Sequence, residues 1–171
     1  VEQDGQRWVE EAVAGGCADY TPIFLSVIEG LFTSGALPLD VVLMQVSPPD
    51  AHGFVSLGTT VDCTLTATRC APIVIAEVNE QMPRTHGDTF IHVSRISALV
   101  ETSHPLLELP TESFTPLHLR VAEYVASRSP DGSTLQTGIG GIPEAVLACL
   151  GDKRDLGIHT EMFSDGVIEL I

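Results

Sequence analysis

The residue with the clearest chemical potential lies in the last third of the sequence, where an acid follows a short apolar segment. Glu161 comes after the apolar residues 156–158 and before a Ser-Asp-Gly turn. We predict a strand over residues 155–161, which places Glu161 near the carboxyl end of a strand, where open α/β sheets gather ligands. A carboxylate at this edge can act as a general base or as a nucleophile.

A histidine accompanies this acid. His159 lies two residues before Glu161, so in a regular strand the two side chains share one face, and His159 can support chemistry there. The other interpretation is that Glu161 is a solvated acid at the end of a strand. Position alone favours that simpler interpretation, because a single carboxylate is a weak signal.

A glycine-rich loop precedes this acid in the chain. It joins a predicted strand, Ser133–Gln136, to a predicted helix, Pro143–Leu150, and proline suits the first turn of a helix. Its backbone N–H groups would lie at the positive end of the helix, which favours an anion or an oxyanion. The spacing matches neither a dinucleotide loop nor a P-loop, and a plain tight turn remains the alternative. The candidate residues are Gln136, Gly138, Ile139, Gly140 and Gly141.

Two earlier loops that contain proline carry further candidates. His52 follows Pro48-Pro49, and His86 follows Pro83-Arg84. A single loop histidine is usually a hydrogen-bonded structural residue, although its pKa also suits proton transfer. Arg84 is the cation nearest to these segments, and both a role toward an anionic ligand and a solvated surface role are open to it.

The elements that would position these residues alternate between helical and strand patterns. Residues 40–46 and 72–78 are continuous, β-branched runs typical of buried parallel strands. The pattern therefore predicts an α/β fold with open, mostly parallel sheets. The predicted helices are 1–14, 23–32, 59–71 and 117–127.

One stretch interrupts this alternation. Residues 106–116 are rich in Pro, Glu, Thr and Ser and lack periodicity, so we predict a domain boundary near Ser113. The expected domains are 1–112 and 113–171. We expect the domain over 113–171 to be truncated, because two strands and two helices cannot cover both faces of a sheet.

Composition narrows the classes of partner. Eight Lys and Arg against 23 Asp and Glu give a formal charge of −15, which argues against nucleic acid and anionic membranes as partners. Apolar runs are strand-sized, far short of the roughly 20 residues of a membrane span.

The start of the sequence lacks Met and the features of a signal peptide, so we expect it to lie inside a longer protein. The four cysteines form no Cys-x-x-Cys pair, which predicts no metal site and reduced thiols in the cytoplasm.

Five segments in order carry a resemblance that spacing alone does not supply. Together they resemble the acetyl-CoA hydrolase/transferase family over nearly all 171 residues. The segments are ADYTP (18–22), QVSPPDAHG (45–53), NEQMPRT (79–85), QTGIGGIP (136–143) and HTEMFSDG (159–166).

The resemblance implies a fold and a site. Members of the family carry two α/β domains of the CoA-transferase type around a cleft, so residues 1–112 would be the later part of the first domain and 113–171 the start of the other. By the same likeness Glu161 is the nucleophile, and Gln136 and the Gly138–Gly141 loop line the acyl site. His52, His159 and Arg84 are the supporting candidates.

The resemblance also implies an activity. We expect transfer of CoA between an acyl-CoA, such as acetyl-, butyryl-, 4-hydroxybutyryl- or succinyl-CoA, and a carboxylate such as acetate. The alternatives are hydrolysis of acetyl-CoA and an inactive segment or binding subunit. CoA would be a substrate, with no bound cofactor or metal, and the full-length protein a homo-oligomer in the cytoplasm, or in mitochondria if eukaryotic.

Overall fold

The computed structural model describes residues 9–108 and 113–170 of the chain. It divides into two compact units, Val1–Leu107 and Glu108–Ile171. The boundary predicted from composition lies near Ser113, a few residues later. The assignment of residues 1–112 and 113–171 to two domains of a longer enzyme stays a prediction.

The strands of the first unit are β1 (Val41–Val46), β2 (Phe54–Ser56), β3 (Ile73–Asn79), β4 (Phe90–His92) and β5 (Ala98–Thr102). Strands β1, β3 and β5 form a three-stranded parallel sheet in the order β1-β3-β5. Strands β2 and β4 form a separate, short antiparallel pair. The helices are α1 (residues 9–14, the described part), α2 (Leu25–Ser34), α3 (Thr64–Cys70) and a 3-10 turn at Val93–Arg95.

The core of this unit lies on one face of the parallel sheet. Alternate side chains of β1 and β3 point into it, because successive residues of a strand face opposite ways. Phe32 of α2 and Leu65 of α3 pack against this face. The opposite face is open among the described residues, and Leu43 on it is 76% exposed. The inward residues are Val42, Met44, Val46, Val74, Ala76 and Val78.

Helix α3 begins later than predicted. The sequence pattern indicated a helix from Thr59, but the chain first makes a turn in which Thr60 Oγ1 donates to the carbonyl of Leu57 at 2.8 Å. Asp62 Oδ1 then accepts from the N–H and the hydroxyl of Thr64, at 2.9 and 2.6 Å. Side-chain oxygens thus compete with helical hydrogen bonds before Thr64, as short polar residues commonly do. The predicted start at Thr59 is therefore wrong.

The second unit alternates strand and helix around a short parallel pair. Strands β6 (Thr134–Leu135) and β7 (Gly157–Ile158) pair in register, Thr134 with Gly157, and α5 (Gly141–Ala148) lies between them in the chain. Helix α4 (Pro116–Ala126) packs on α5, and Thr115 caps it by accepting from the N–H of His118. A 3-10 helix, Asp165–Leu170, completes the described part.

The last strand is shorter than the sequence indicated. We predicted a strand over 155–161, but β7 contains only Gly157 and Ile158. His159 and Glu161 lie outside it, so the predicted strand over 155–161 is wrong at both ends, and a shared face for the two side chains no longer follows from strand geometry. The physical reason is that the hydroxyl of Thr160 bonds to the N–H and the carbonyl of Thr137 in place of a backbone partner.

Candidate active site

The segment that carries Glu161 is hydrogen-bonded to the glycine-rich loop through one threonine. Thr160 Oγ1 donates to the carbonyl of Thr137 at 2.7 Å and accepts from the N–H of the same residue at 3.1 Å. Thr137 lies between Gln136 and Gly138, both exposed. The two segments that the sequence singled out are therefore brought together in the structure, one residue away from Glu161.

The glycine-rich loop leads directly into α5. Gly140 is the N-cap of that helix with φ 108° and ψ 177°, a conformation open to glycine but strained for residues with a Cβ. Its carbonyl accepts from the N–H of Glu144 at 3.2 Å. Among the described residues, the N–H groups of Gly138, Ile139 and Gly140 donate to no protein acceptor. The loop can therefore offer these donors to an external oxygen.

Glu161 lies in a bend just beyond β7 and is exposed. The neighbouring Met162 and Phe163 are also exposed, at 39% and 62%. The carboxylate is thus open to a ligand and sits on a segment tied to the loop through Thr160. His159 is exposed, and its backbone N–H donates to the carbonyl of Leu135 at 2.9 Å, which extends the β6–β7 ladder by one bond.

The segment is anchored on its other side by a close approach to α5. A Cβ added at Gly166 would lie 2.5 Å from Glu144 Oε2 and 3.0 Å from Leu147 Cδ1. Val167, the next residue, is fully buried at 0% exposure. A side chain at residue 166 would therefore crowd Leu147 where the chain after Glu161 returns to the helix, and the carboxylate of Glu144 would have to move.

Arg84 and His52 belong to the first unit, where Arg84 is already paired. Its Nη2 lies 2.7 Å from Asp50 Oδ2, and its Nη1 donates to the carbonyl of Phe54 at 3.0 Å. The guanidinium carbon lies 4.6 Å from the centre of the Phe90 ring, in cation–π range. These contacts fix the loop that contains His52 and provide a structural reason for the arginine. The role of either residue toward a ligand stays a prediction.

Asp50 organises the same loop. Its Oδ1 accepts from the N–H groups of Phe54 and His52, each at 2.9 Å. The N–H of Phe54 is the main cause that lowers the pKa of Asp50, and that of His52 and the Arg84 charge act in the same direction. The carboxylate thus stays ionised and holds the turn that follows β1.

A polar cluster at the carboxyl ends of β1 and β3 was not singled out from the sequence. His104 Nε2 lies 2.8 Å from Glu77 Oε1, and Gln45 Nε2 donates to Glu77 Oε2 at 3.3 Å. Asn79 Nδ2 donates to the carbonyl of His104 at 2.9 Å. The hydrogen bond from His104 lowers the pKa of Glu77, and the same bond raises the pKa of His104.

This cluster borders an open groove of about 440 Å³ on the uncovered face of the sheet. A signal for it was present, because Gln45 and Glu77 interrupt two apolar strands at paired positions of the register. Leu43, Met44, Gln45, Ile75, Glu77 and Val100 line the groove.

The described residues contain no group of three or more His, Cys, Asp or Glu side chains that could hold a metal ion. The four cysteines are free thiols, and burial is the main cause that raises the pKa of Cys63. None of the described helices is both long and apolar enough to cross a membrane.

Comparison with known proteins identifies the family. A model of the acetyl-CoA hydrolase/transferase N-terminal domain matches residues 6–109, more than half of the chain. The chain belongs to the acetyl-CoA hydrolase/transferase family. The resemblance carried by the five sequence segments is thereby confirmed.

Curated relatives of this family member carry the names of CoA transferases. It is 53% identical over 161 residues to the 4-hydroxybutyrate coenzyme A transferase of Clostridium kluyveri, covering 94% of the chain and 38% of the relative. It is 46% identical over 162 residues to the succinyl-CoA:acetate/propanoyl-CoA:succinate CoA transferase of Fasciola hepatica, covering 94% and 34%. The chain thus spans little more than a third of the length of these relatives.

Two solved structures superpose on this family member. The 4-hydroxybutyrate CoA-transferase of Porphyromonas gingivalis has a TM-score of 0.83 at 45% identity, covering 88% of the chain and 38% of that structure. RipA from Yersinia pestis has a TM-score of 0.87 at 34% identity, covering 96% and 38%. The predicted α/β fold with mostly parallel sheets of the CoA-transferase type is confirmed.

Proposed function

We propose that the full-length protein transfers CoA between an acyl-CoA and a small carboxylate, with Glu161 as the nucleophile. The observation that carries the proposal is the attachment of the Glu161 segment to the glycine-rich loop through Thr160 and Thr137, at 2.7 and 3.1 Å. This contact brings an exposed carboxylate and unpaired N–H donors into one region of the second unit. Family membership and the transferase relatives support the reaction class.

The first half-reaction opens the thioester. The Glu161 carboxylate attacks the acyl carbon, the C–S bond breaks, and an acyl-glutamyl anhydride and CoA thiolate form. The thiolate then attacks the glutamyl carbon, which releases the original acid as a carboxylate and leaves a glutamyl-CoA thioester.

The second half-reaction runs the same steps in reverse with a new acid. Its carboxylate attacks the glutamyl thioester and expels CoA thiolate. The thiolate then attacks the new acyl group of the anhydride. A new acyl-CoA leaves and the Glu161 carboxylate is regenerated, so atoms and charge balance without an external base.

The glycine-rich loop would supply the stabilisation that a weak nucleophile needs. Each attack places negative charge on a carbonyl oxygen, and N–H groups of Gly138, Ile139 or Gly140 can donate to it. Removal of one such donor typically costs about 3 kcal/mol of transition-state stabilisation. Gln136, at the start of the loop, is exposed beside these donors and would contact the acyl group.

Substrates, domains and cellular setting are further parts of this proposal. Acyl groups of the 4-hydroxybutyryl, succinyl and butyryl type are the first to test, since curated relatives carry those names. Residues 1–112 would belong to the first domain of the enzyme and 113–171 to the other. The full-length enzyme would form a homo-oligomer in the cytoplasm, or in mitochondria of a eukaryote.

Isotope exchange tests this proposal. Full-length protein is incubated with unlabelled acetyl-CoA and labelled acetate, beside a Glu161→Gln variant that keeps the shape but not the nucleophile. Label should enter acetyl-CoA with the wild type only. Release of free thiol without any carboxylate acceptor would instead identify a hydrolase. A protein that does neither contradicts the proposed activity.

A further inference from the structure

The ladder between β6 and β7 ends because a side chain replaces its next two bonds. In the described ladder the N–H of Gly157 donates to Ser133 and the N–H of His159 donates to Leu135, each at 2.9 Å. A parallel strand that continued would join the N–H of Thr137 to the carbonyl of His159, and the N–H of Glu161 to the carbonyl of Thr137. Thr160 Oγ1 takes both positions on Thr137, at 3.1 and 2.7 Å.

The replacement of these two ladder bonds by the Thr160 hydroxyl determines the position of Glu161. If the backbone N–H of Glu161 bonded to Thr137, residue 161 would be a strand residue and its side chain would follow the alternation of β7. Because the Thr160 hydroxyl satisfies Thr137 instead, the backbone at Glu161 is released and bends. The acid therefore leaves the strand beside the glycine-rich loop.

We propose that Thr160 is a positioning residue for acyl transfer, and this inference rests on the proposed role of Glu161. Its hydroxyl fixes the distance between the nucleophile's backbone and the loop that would stabilise the oxyanion. One oxygen both donates and accepts, so it holds the N–H and the carbonyl of Thr137 together. The contact joins residues 23 apart in sequence, one beside Glu161 and one between Gln136 and Gly138.

The change that tests this most cleanly is Thr160→Val. Valine has nearly the same shape, but it can neither donate nor accept, so Thr137 loses both partners. The segment that carries Glu161 then loses both hydrogen bonds to the glycine-rich loop, so the distance between Glu161 and the loop is no longer fixed. Thr160→Ser keeps the oxygen and should keep the geometry.

The experiment compares four full-length proteins, namely wild type, Thr160→Val, Thr160→Ser and the control Thr134→Val. The control makes the same substitution at an exposed residue of β6 in the same unit. Each protein is tested for its melting transition, for kcat and KM with the acyl-CoA, and for the single-turnover rate at which the Glu161 peptide gains CoA. Amide hydrogen exchange at Thr137 reports the contact independently of turnover.

Thr160→Val should lower kcat and the labelling rate by roughly 10²-fold, the effect expected of about 1 Å of misplacement, with KM changed much less. The kcat and labelling rate of Thr160→Ser should stay within a few-fold of the wild-type values. Those of Thr134→Val should equal the wild-type values. Exchange at Thr137 should speed up only in Thr160→Val. If that variant loses its melting transition, Thr160→Ala provides the same comparison.

Three results would overturn the inference. Wild-type labelling in Thr160→Val, or equal loss in Thr160→Ser, would show that the hydroxyl does not position Glu161. A wild type that turns over without labelling Glu161 would overturn the proposed nucleophile and the positioning role with it. The labelling of the wild type therefore separates failure of the proposed function from failure of the inference alone.

Discussion

Leu147 and Gly166 are in such close contact that a Cβ added at residue 166 would lie 3.0 Å from Leu147 Cδ1. Leu147 is fully buried at 0% exposure and cannot move aside without disturbing α5. The contact holds the chain that follows Glu161 against the helix that follows the glycine-rich loop. Both ends of the candidate site are therefore fixed to the same helix.

Gly166→Ala should consequently destabilise the second unit. Overpacking of this kind typically costs about 1–3 kcal/mol, and urea unfolding followed by circular dichroism measures it. Gly151→Ala is the matched control, because a Cβ there would meet nothing within 4 Å. Equal stability of the two variants would show that the contact is not tight in solution.

Gly140→Ala should disturb the loop through backbone conformation instead of packing. Gly140 has φ 108° with open space around it, whereas Gly151, which lies outside the loop, has no positive φ and also has open space around it. A residue with a Cβ at position 140 carries strain on the order of 1–3 kcal/mol. Initial rates should fall in Gly140→Ala and change little in Gly151→Ala. The reverse order would remove the special role of Gly140.

The sequence predicted those parts of the fold that depend on local pattern. Strands β1 and β3 are recognisable because each is a continuous run of buried β-branched residues, and parallel strands require such runs. Strands β2 and β4 have three residues each, and all of β5 except Thr102 is exposed, so no comparable pattern marks them.

The limits at the site have the same origin. Glu161 and the glycines stood out by type and spacing, and the resemblance supplied a role for the acid. The contact that ends β7 at Ile158 joins Thr160 to Thr137, 23 positions away. In the polar cluster, Gln45 contacts His104, which lies 59 positions away. Periodicity within a segment carries no information about either contact.

The Glu77–His104 pair should show itself in proton NMR titration. Replacement of Glu77 by Gln removes the carboxylate 2.8 Å from His104 Nε2, so the pKa of His104 should fall toward its ordinary value of about 6.5. Glu80→Gln, an exposed acid next to the cluster in sequence, is the control and should leave the titration unchanged. An unchanged pKa in Glu77→Gln would show that the pair does not form.

The same pair predicts a pH dependence of stability. Because the pKa of Glu77 is lowered on folding, its carboxylate stabilises the fold above about pH 4.3, and this stabilisation is lost as the pH falls through the pKa of the folded state. Because the pKa of His104 is raised on folding, its imidazolium stabilises the fold below about pH 6.5, and this stabilisation is lost as the pH rises through the pKa of the folded state. The variant His104→Gln should therefore be less stable than wild type between about pH 4.3 and pH 6.5. Urea midpoints at pH 5.5 and pH 9 test this, and an equal loss at both would contradict it.

Asp50→Asn should destabilise the loop that contains His52, and the size of this effect should depend on pH. The pKa of Asp50 is lowered on folding, so its contribution is present above about 3.9 and disappears as the pH falls through the folded value. The variant should therefore be less stable than wild type at pH 6, with a smaller difference at pH 3. Asp88→Asn, whose partner Arg69 lies 3.8 Å away with both side chains largely exposed, should change little. A constant Asp50→Asn difference across this range would argue against the ionised carboxylate.

The most direct test of the account is to trap the enzyme-bound intermediate on Glu161. Full-length protein is treated with acyl-CoA, then with borohydride, which reduces a glutamyl-CoA thioester to an alcohol, and the peptides are analysed by mass spectrometry. We predict a CoA adduct, or the reduced residue after borohydride, on the peptide that contains Glu161, and neither in Glu161→Gln. An adduct on another residue, or full turnover in Glu161→Gln, would contradict the central role of Glu161.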